Sequence, residues 1–255
     1  ERGGGFEMKR LLFILMIGLP LVSIASDYQS TLLVQTGKLR ESDLIVRTIS
    51  DLESQKICLT FYIRTTGTSP AMICYDALKG FRSNISQIGH FKEGKLVVRK
   101  LKDMENNVAC IVAYVSTPGT SPSIQCYKSQ KIAKDAIVRS GHIREGDLDV
   151  YTLTEPESMQ TCLIAYVSLG GTSPSLACYK SRSSKAGGLI QTSHMQEGDL
   201  IVRKVVDQSN GKDCLITYVS TEGTSPYIHC FDDQTTARIS PYPVVKPGSP
   251  PGQKR

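Results

Sequence analysis

From residue 31 onward the chain is written in short runs of β-branched, aromatic and other apolar residues, each closed by a turn signal. Residues 136–182 show the scheme. Four runs, Ala136–Ile143, Asp147–Thr154, Gln160–Ser168 and Pro174–Lys180, read as strands. Between them lie Arg144-Glu145-Gly146, the stretch from Glu155 to Met159, and Gly170 to Ser173, all rich in turn residues. The third run is apolar on both sides. In an earlier copy Cys110, Val112 and Tyr114 alternate with Ile111, Ala113 and Val115; in a later one Cys214, Ile216 and Tyr218 alternate with Leu215, Thr217 and Val219. A lone sheet would show a polar outer face, so burial on both sides predicts sheets stacked on one another. No helical stripe of 3.6-residue period runs through these stretches. The class is all-β.

The pattern recurs every 52 residues, four times, with no insertion between anchor positions. The units are 31–78, 84–130, 136–182 and 188–234, each expected to form a four-stranded antiparallel sheet. A fixed period of this size signals an array or a propeller. A four-bladed, propeller-like ring is favoured over any single alternative, and the polar connectors Lys128–Asp135 and Ser181–Gly187 could step between blades. A linear array of β-modules, or paired sandwiches, stays open, because no leftover strand at one end completes a blade begun at the other.

Eight cysteines fall on two repeat positions: Cys58, Cys110, Cys162 and Cys214, and Cys74, Cys126, Cys178 and Cys230. No Cys-x-x-Cys occurs, which argues against zinc knuckles, dithiol redox chemistry and c-type haem. Pairing Cys58 with Cys74, Cys110 with Cys126, Cys162 with Cys178 and Cys214 with Cys230 is the only scheme that closes every repeat locally and identically. Folding the third hairpin about its Gly-Gly turn sets Cys162 opposite Cys178, where a non-hydrogen-bonded pair brings Cα atoms to about 4.5 Å. Each such bond is worth roughly 3 kcal/mol by loop entropy, which matters for a unit this small.

The ends suggest export. Met8, Lys9 and Arg10 precede a 12-residue apolar run, Leu11–Val22, and Ser23-Ile24-Ala25 offers a cleavage site, so 8–25 is expected to be a signal peptide. The run falls short of the roughly 20 residues that a membrane span needs. No transmembrane segment is expected after cleavage. Residues 1–7 read as an untranslated leader upstream of a start at Met8, which implies a bacterial source. Loss of 1–25 removes three basic and two acidic groups, so the net charge of +6 becomes +5. The charge is spread thinly, without Trp or aromatic interleaving, and does not favour nucleic acid. Residues 239–255 hold five prolines and no apolar period and are expected to be a disordered tail.

Candidate chemistry recurs with the repeat. His90, His142 and His194 share one position, where the first repeat has Lys38. In a closed ring they could converge on zinc or copper; the simpler reading is a turn-flanking residue inherited by duplication. Glu41, Glu93, Glu145 and Glu197, with Asp43, Asp147 and Asp199 two residues on (Lys95 in the second copy), suit hairpin ends better than calcium. Gly67-Thr68-Ser69, Gly119-Thr120-Ser121, Gly171-Thr172-Ser173 and Gly223-Thr224-Ser225, each followed by proline, sit in hairpin loops. They lack the nucleophile-elbow pattern, and their hydroxyls suit turn bonding. Four exposed copies would also suit multivalent binding of a protein, a glycan or an envelope polymer. The expected function is therefore non-catalytic binding or scaffolding in the periplasm or outside the cell, without a cofactor; a metal protein built on the histidines is the alternative.

Overall fold

Strand β1 (Leu33–Glu41) opens a meander that β2 (Leu44–Asp51), β3 (Lys56–Ile63) and β4 (Ala71–Asp76) complete, each antiparallel to the last. The same order recurs in β5 (Ile85–Glu93), β6 (Leu96–Asp103), β7 (Val108–Val115) and β8 (Ser123–Lys128). The third sheet holds β9 (Val138–Glu145), β10 (Leu148–Glu155), β11 (Gln160–Val167) and β12 (Ser175–Lys180). The fourth holds β13 (Leu189–Glu197), β14 (Leu200–Asp207), β15 (Lys212–Val219) and β16 (Tyr227–Asp232). The structure is a computed structural model and describes residues 33–78, 80–129, 137–182 and 188–232. The expected leader, signal peptide and proline-rich tail lie outside these residues. No described helix is long and apolar enough to cross a membrane.

Local chemistry sets the strand ends. Gly146 adopts φ 66°, which makes a two-residue turn with Asp147, so Arg144 and Glu145 stay in the ladder rather than in the expected turn. The cysteines are directly opposed in every sheet, Cys58 with Cys74 through Cys214 with Cys230, at a Cα separation of 4.0 Å. All four disulfides form within their own repeat, as the repeat logic requires.

Each sheet has a forward face, turned toward the next repeat, and a backward face, turned toward the previous one. Leu59, Phe61 and Ile63 of the first sheet point forward and meet Cys110, Val112 and Tyr114 on the backward face of the second. Ile111, Ala113 and Val115 point forward from the second sheet against Cys162, Ile164 and Tyr166 of the third. Leu163, Ala165 and Val167 repeat the arrangement against Cys214, Ile216 and Tyr218 of the fourth. The both-faced apolar pattern is thus realised in the middle sheets. Burying a leucine of this kind stabilises by roughly 1.5–3 kcal/mol, so these cores hold the repeats together.

The closed ring is not found. Three cores join consecutive sheets, and none among the described residues joins the fourth to the first. The forward face of the fourth sheet is open: Leu215 is 37% exposed, although its counterparts Leu59, Ile111 and Leu163 are buried. Apolarity inherited by every repeat does not by itself create a partner for the last one.

Candidate functional site

The Gly-Thr-Ser-Pro loops gather on one edge. The backbone N–H of Ser69 donates to Ser121 Oγ (3.0 Å), that of Ser121 to Ser173 Oγ (2.6 Å), and that of Ser173 to Ser225 Oγ (3.0 Å). Backbone bonds add to the ladder: the Gly119 N–H donates to the Thr66 carbonyl (2.9 Å) and the Gly223 N–H to the Gly170 carbonyl (3.0 Å). The glycines have two reasons to be there. Each has φ between 72° and 80°, and a Cβ on Gly67 would lie 3.4 Å from the Gly119 Cα. The outcome is one ridge in which successive loops touch.

The threonines are not displayed as expected. Thr68 Oγ1 donates to the Ile63 carbonyl (2.9 Å), Thr120 to that of Val115 (2.6 Å) and Thr224 to that of Val219 (2.7 Å); Thr172 does the same to Val167. Thr120 and Thr172 are buried, so these side chains lock the loop from inside. Ser121, Ser173 and Ser225 spend their hydroxyls on the ladder. What the ridge shows to solvent is Gly67, Ser69, Gly119, Gly223 and Ser225, with Thr66, Pro118, Gly170 and Glu222 at the position before each glycine.

His90, His142 and His194 lie at the same register on the first strands of the second, third and fourth sheets, opposite Arg99, Tyr151 and Arg203. They do not converge. Among the described residues no group of three or more His, Cys, Asp or Glu side chains is placed to hold a metal ion. Burial, followed by the positive charges of Arg99 and Lys92, holds the His90 pKa below its usual range.

Sequence reasoning missed the polar nodes that pin each junction. Tyr75 Oη donates to Asp103 of the next repeat (2.7 Å), Tyr179 Oη to Asp207 (2.8 Å), and Tyr127 to Glu155. Burial and the neighbouring carboxylates push the phenols of Tyr75 and Tyr179 far up, so both stay protonated. A second node joins Tyr114 Oη to Asp43 (2.8 Å), with Arg99 Nε donating to the same phenol (3.0 Å) and Gln87 accepting from Arg99 Nη1 (2.6 Å). Between the third and fourth sheets Asp147, Tyr218, Arg203 and Gln191 copy that arrangement. A sequence signal existed: the residue after the second cysteine is Tyr75, Tyr127, Tyr179 and then Phe231, which loses the hydroxyl in the last described sheet.

The junction between the second and third sheets departs from this plan. Lys95 replaces the turn aspartate, Tyr151 replaces the arginine, and Asp149 enters where the other repeats have Ile45, Val97 and Ile201. Asp149 is 4% exposed and accepts from His142 Nε2 (3.1 Å), with Arg144 Nε 3.9 Å away. The His142 ring stacks on Tyr151 at 4.2 Å, and Tyr151 lies parallel to Tyr166 at 6.2 Å. Burial, then the charge of Asp149, raises the Tyr166 phenol well above its usual value. A cleft of about 430 Å³ opens beside Lys95, Arg144, Asp149 and Tyr166. Lys95 and Asp149 line this cleft with the charge signs exchanged relative to Asp43 and Arg99 one repeat earlier, and the cationic groups within 4 Å of Asp149, His142 and Arg144, belong to its own sheet.

No protein-family model matches the chain, and a search of curated proteins finds no match.

Proposed function

We propose that this chain is an exported, non-catalytic repeat protein that binds or scaffolds in the cell envelope or outside the cell. Its four disulfides suit an oxidising environment. The ladder of Gly-Thr-Ser-Pro loops carries the reading. Hydrogen bonds between serines 52 residues apart turn four separate loop tips into one edge with a regular spacing. A regular edge engages a regular partner: a glycan, an envelope polymer or an extended protein segment, each contact adding avidity to the last. The chemistry that could have been catalytic is otherwise employed, the loop serines in the ladder and His142 against Asp149 and Tyr151.

The test is co-sedimentation of the oxidised protein with isolated envelope polymer, beside the triple variant Thr66→Arg, Pro118→Arg, Glu222→Arg. These side chains are exposed at one repeat position, and the loop hydrogen bonds run through the neighbouring threonines and serines. Binding by the parent chain with at least tenfold loss in the variant, about 1.4 kcal/mol, is the expected result. Equal retention of both chains would dismiss the ridge as the binding edge.

A further inference from the structure

The stack has two different ends, and each keeps half of a junction. On the forward face of the fourth sheet, Leu200 and Leu215 are 40% and 37% exposed, whereas their counterparts Leu44, Leu96, Leu148, Leu59, Ile111 and Leu163 are all buried against a following sheet. On the backward face of the first sheet Met72 is 65% exposed, whereas its counterpart Ile228 is buried against the preceding sheet and Ile124 and Leu176 pack into the same kind of core. Leu200, Leu215 and Met72 are thus large apolar side chains that no described sheet covers, while Ile45, on the same backward face as Met72, is 6% exposed.

The polar groups are matched in the same way. Asp43 and Asp147 point forward and receive the tyrosine of the next repeat; Asp199, their counterpart in the fourth repeat, is exposed and has no side-chain partner among the described residues. The receiving half survives at the other end. In the first sheet Arg47 lies over the Tyr62 ring at 5.8 Å, as Arg99 lies over Tyr114 at 6.0 Å and Arg203 over Tyr218 at 5.9 Å, yet no aspartate of a preceding sheet meets it among the described residues. Lys100 reaches forward to Glu155 of the next repeat. Lys204 occupies the same position in the fourth repeat, and Asp51 is the first repeat's counterpart of Glu155. The loop ladder also ends in a complementary pair: among the described residues the Ser225 N–H reaches no onward serine, and no earlier serine N–H reaches the Ser69 hydroxyl.

We infer that copies of this chain associate head to tail, the forward face of the fourth sheet of one copy seating on the backward face of the first sheet of the next. The occupant of each open face is the opposite face of a second copy, because three internal junctions of the chain already mate those two faces in that orientation. Asp199 then receives Tyr62 and Arg47, and Lys204 faces Asp51. Such a contact is heterologous and does not close, so it extends into a filament. The seam is weaker than an internal junction, since Phe231 cannot donate the hydrogen bond that Tyr75, Tyr127 and Tyr179 make. It also lacks the covalent link between repeats. The inference deepens the scaffolding reading and rests on it for its biological sense, but it is tested without any ligand.

Sedimentation velocity of the oxidised chain purified from the exported fraction decides it. Up to about 1 mM the wild-type chain should sediment as dimers and longer species that increase with concentration. Leu215→Arg blocks the forward face and Met72→Arg the backward face; both sites are exposed, and unchanged circular dichroism confirms the fold. Each variant alone should be monomeric. Mixed in equal amounts they should form dimers and nothing longer, because one intact forward face and one intact backward face remain. A wild-type chain that stays monomeric overturns the inference. So does dimerisation of either blocked variant alone, which would mean a symmetric contact, or failure of the mixture to associate. The ridge variant used for polymer binding leaves both end faces intact, so loss of polymer binding and loss of self-association are separate outcomes.

Discussion

The second and fourth sheets carry nearly the same residues and meet different fates. Both hold an arginine between a tyrosine and a glutamine, Arg99 with Tyr114 and Gln87, and Arg203 with Tyr218 and Gln191. Both place a lysine next along the strand, Lys100 and Lys204. The second sheet lies between two neighbours, so Lys100 is buried and reaches across the junction to Glu155, which Tyr127 also contacts. Among the described residues the fourth has a neighbouring sheet on one side only. Lys204 remains a third exposed and pairs within its own sheet with Asp213 at 2.6 Å. The difference teaches that a residue's energetic weight here is set by its place in the row and hardly at all by its place in the repeat.

The sharpest way to break the comparison is to remove one partner of each ion pair. Glu155→Ala should leave Lys100 buried without its carboxylate, at a cost of about 3–5 kcal/mol. Asp213→Ala removes a buried carboxylate but leaves Lys204, a third exposed, able to reach water, and should cost less, about 1 kcal/mol. Urea denaturation of both variants measures the gap, and equal losses would mean that the second and third sheets do not exclude water. Next in size is a leucine pair at one repeat position. Leu163→Ala, fully inside the third junction, should lose about 3 kcal/mol, whereas Leu215→Ala on the open face should lose about 1 kcal/mol or less.

The smallest effect is the one that titrates. The Tyr114 phenol is pushed up to about 12 from an ordinary 10.0, first by burial, and Tyr75 and Tyr179 are raised further still. A raised folded value means that the unfolded chain releases the proton first. Stability from these groups is therefore fully present below about pH 10 and falls as pH rises above it. Tyr179→Phe should cost about 1 kcal/mol at neutral pH, the worth of a buried hydrogen bond, and should flatten the alkaline decline of the melting temperature. Phe231→Tyr, measured on the dilute monomer where no described sheet follows the fourth, should change neither. An unaltered alkaline slope in Tyr179→Phe would remove that phenol from the account.

Much of the local fold was legible. Alternation placed the strands to within two residues of where they lie, because side-chain direction in a strand follows sequence parity. Identical spacing settled the cysteine pairing, because only one scheme treats all four repeats alike. The serine ladder was harder to see: the loops read as exposed tips, yet Thr120 and Thr172 turn inward and the serines bond to their counterparts 52 residues away. The junction nodes were invisible for the same reason. Asp43 looked like an ordinary hairpin aspartate until Tyr114, 71 residues on, was found to donate to it. The exchange at Lys95, Tyr151 and Asp149 could be seen as a departure from the repeat, but what replaced what could not.

By itself, the sequence determined the all-β class, the four-strand unit, the disulfide pairing and the fact that sheets must stack, since each follows from parity, spacing and the need to bury two apolar faces. Tertiary structure decided how the stack ends. Whether the fourth sheet returns to the first depends on the small rotation between neighbouring sheets, accumulated over three junctions, and no single repeat encodes that sum. Only the assembled row leaves Leu215 and Met72 uncovered at opposite ends, and with them the surfaces on which a second copy can seat.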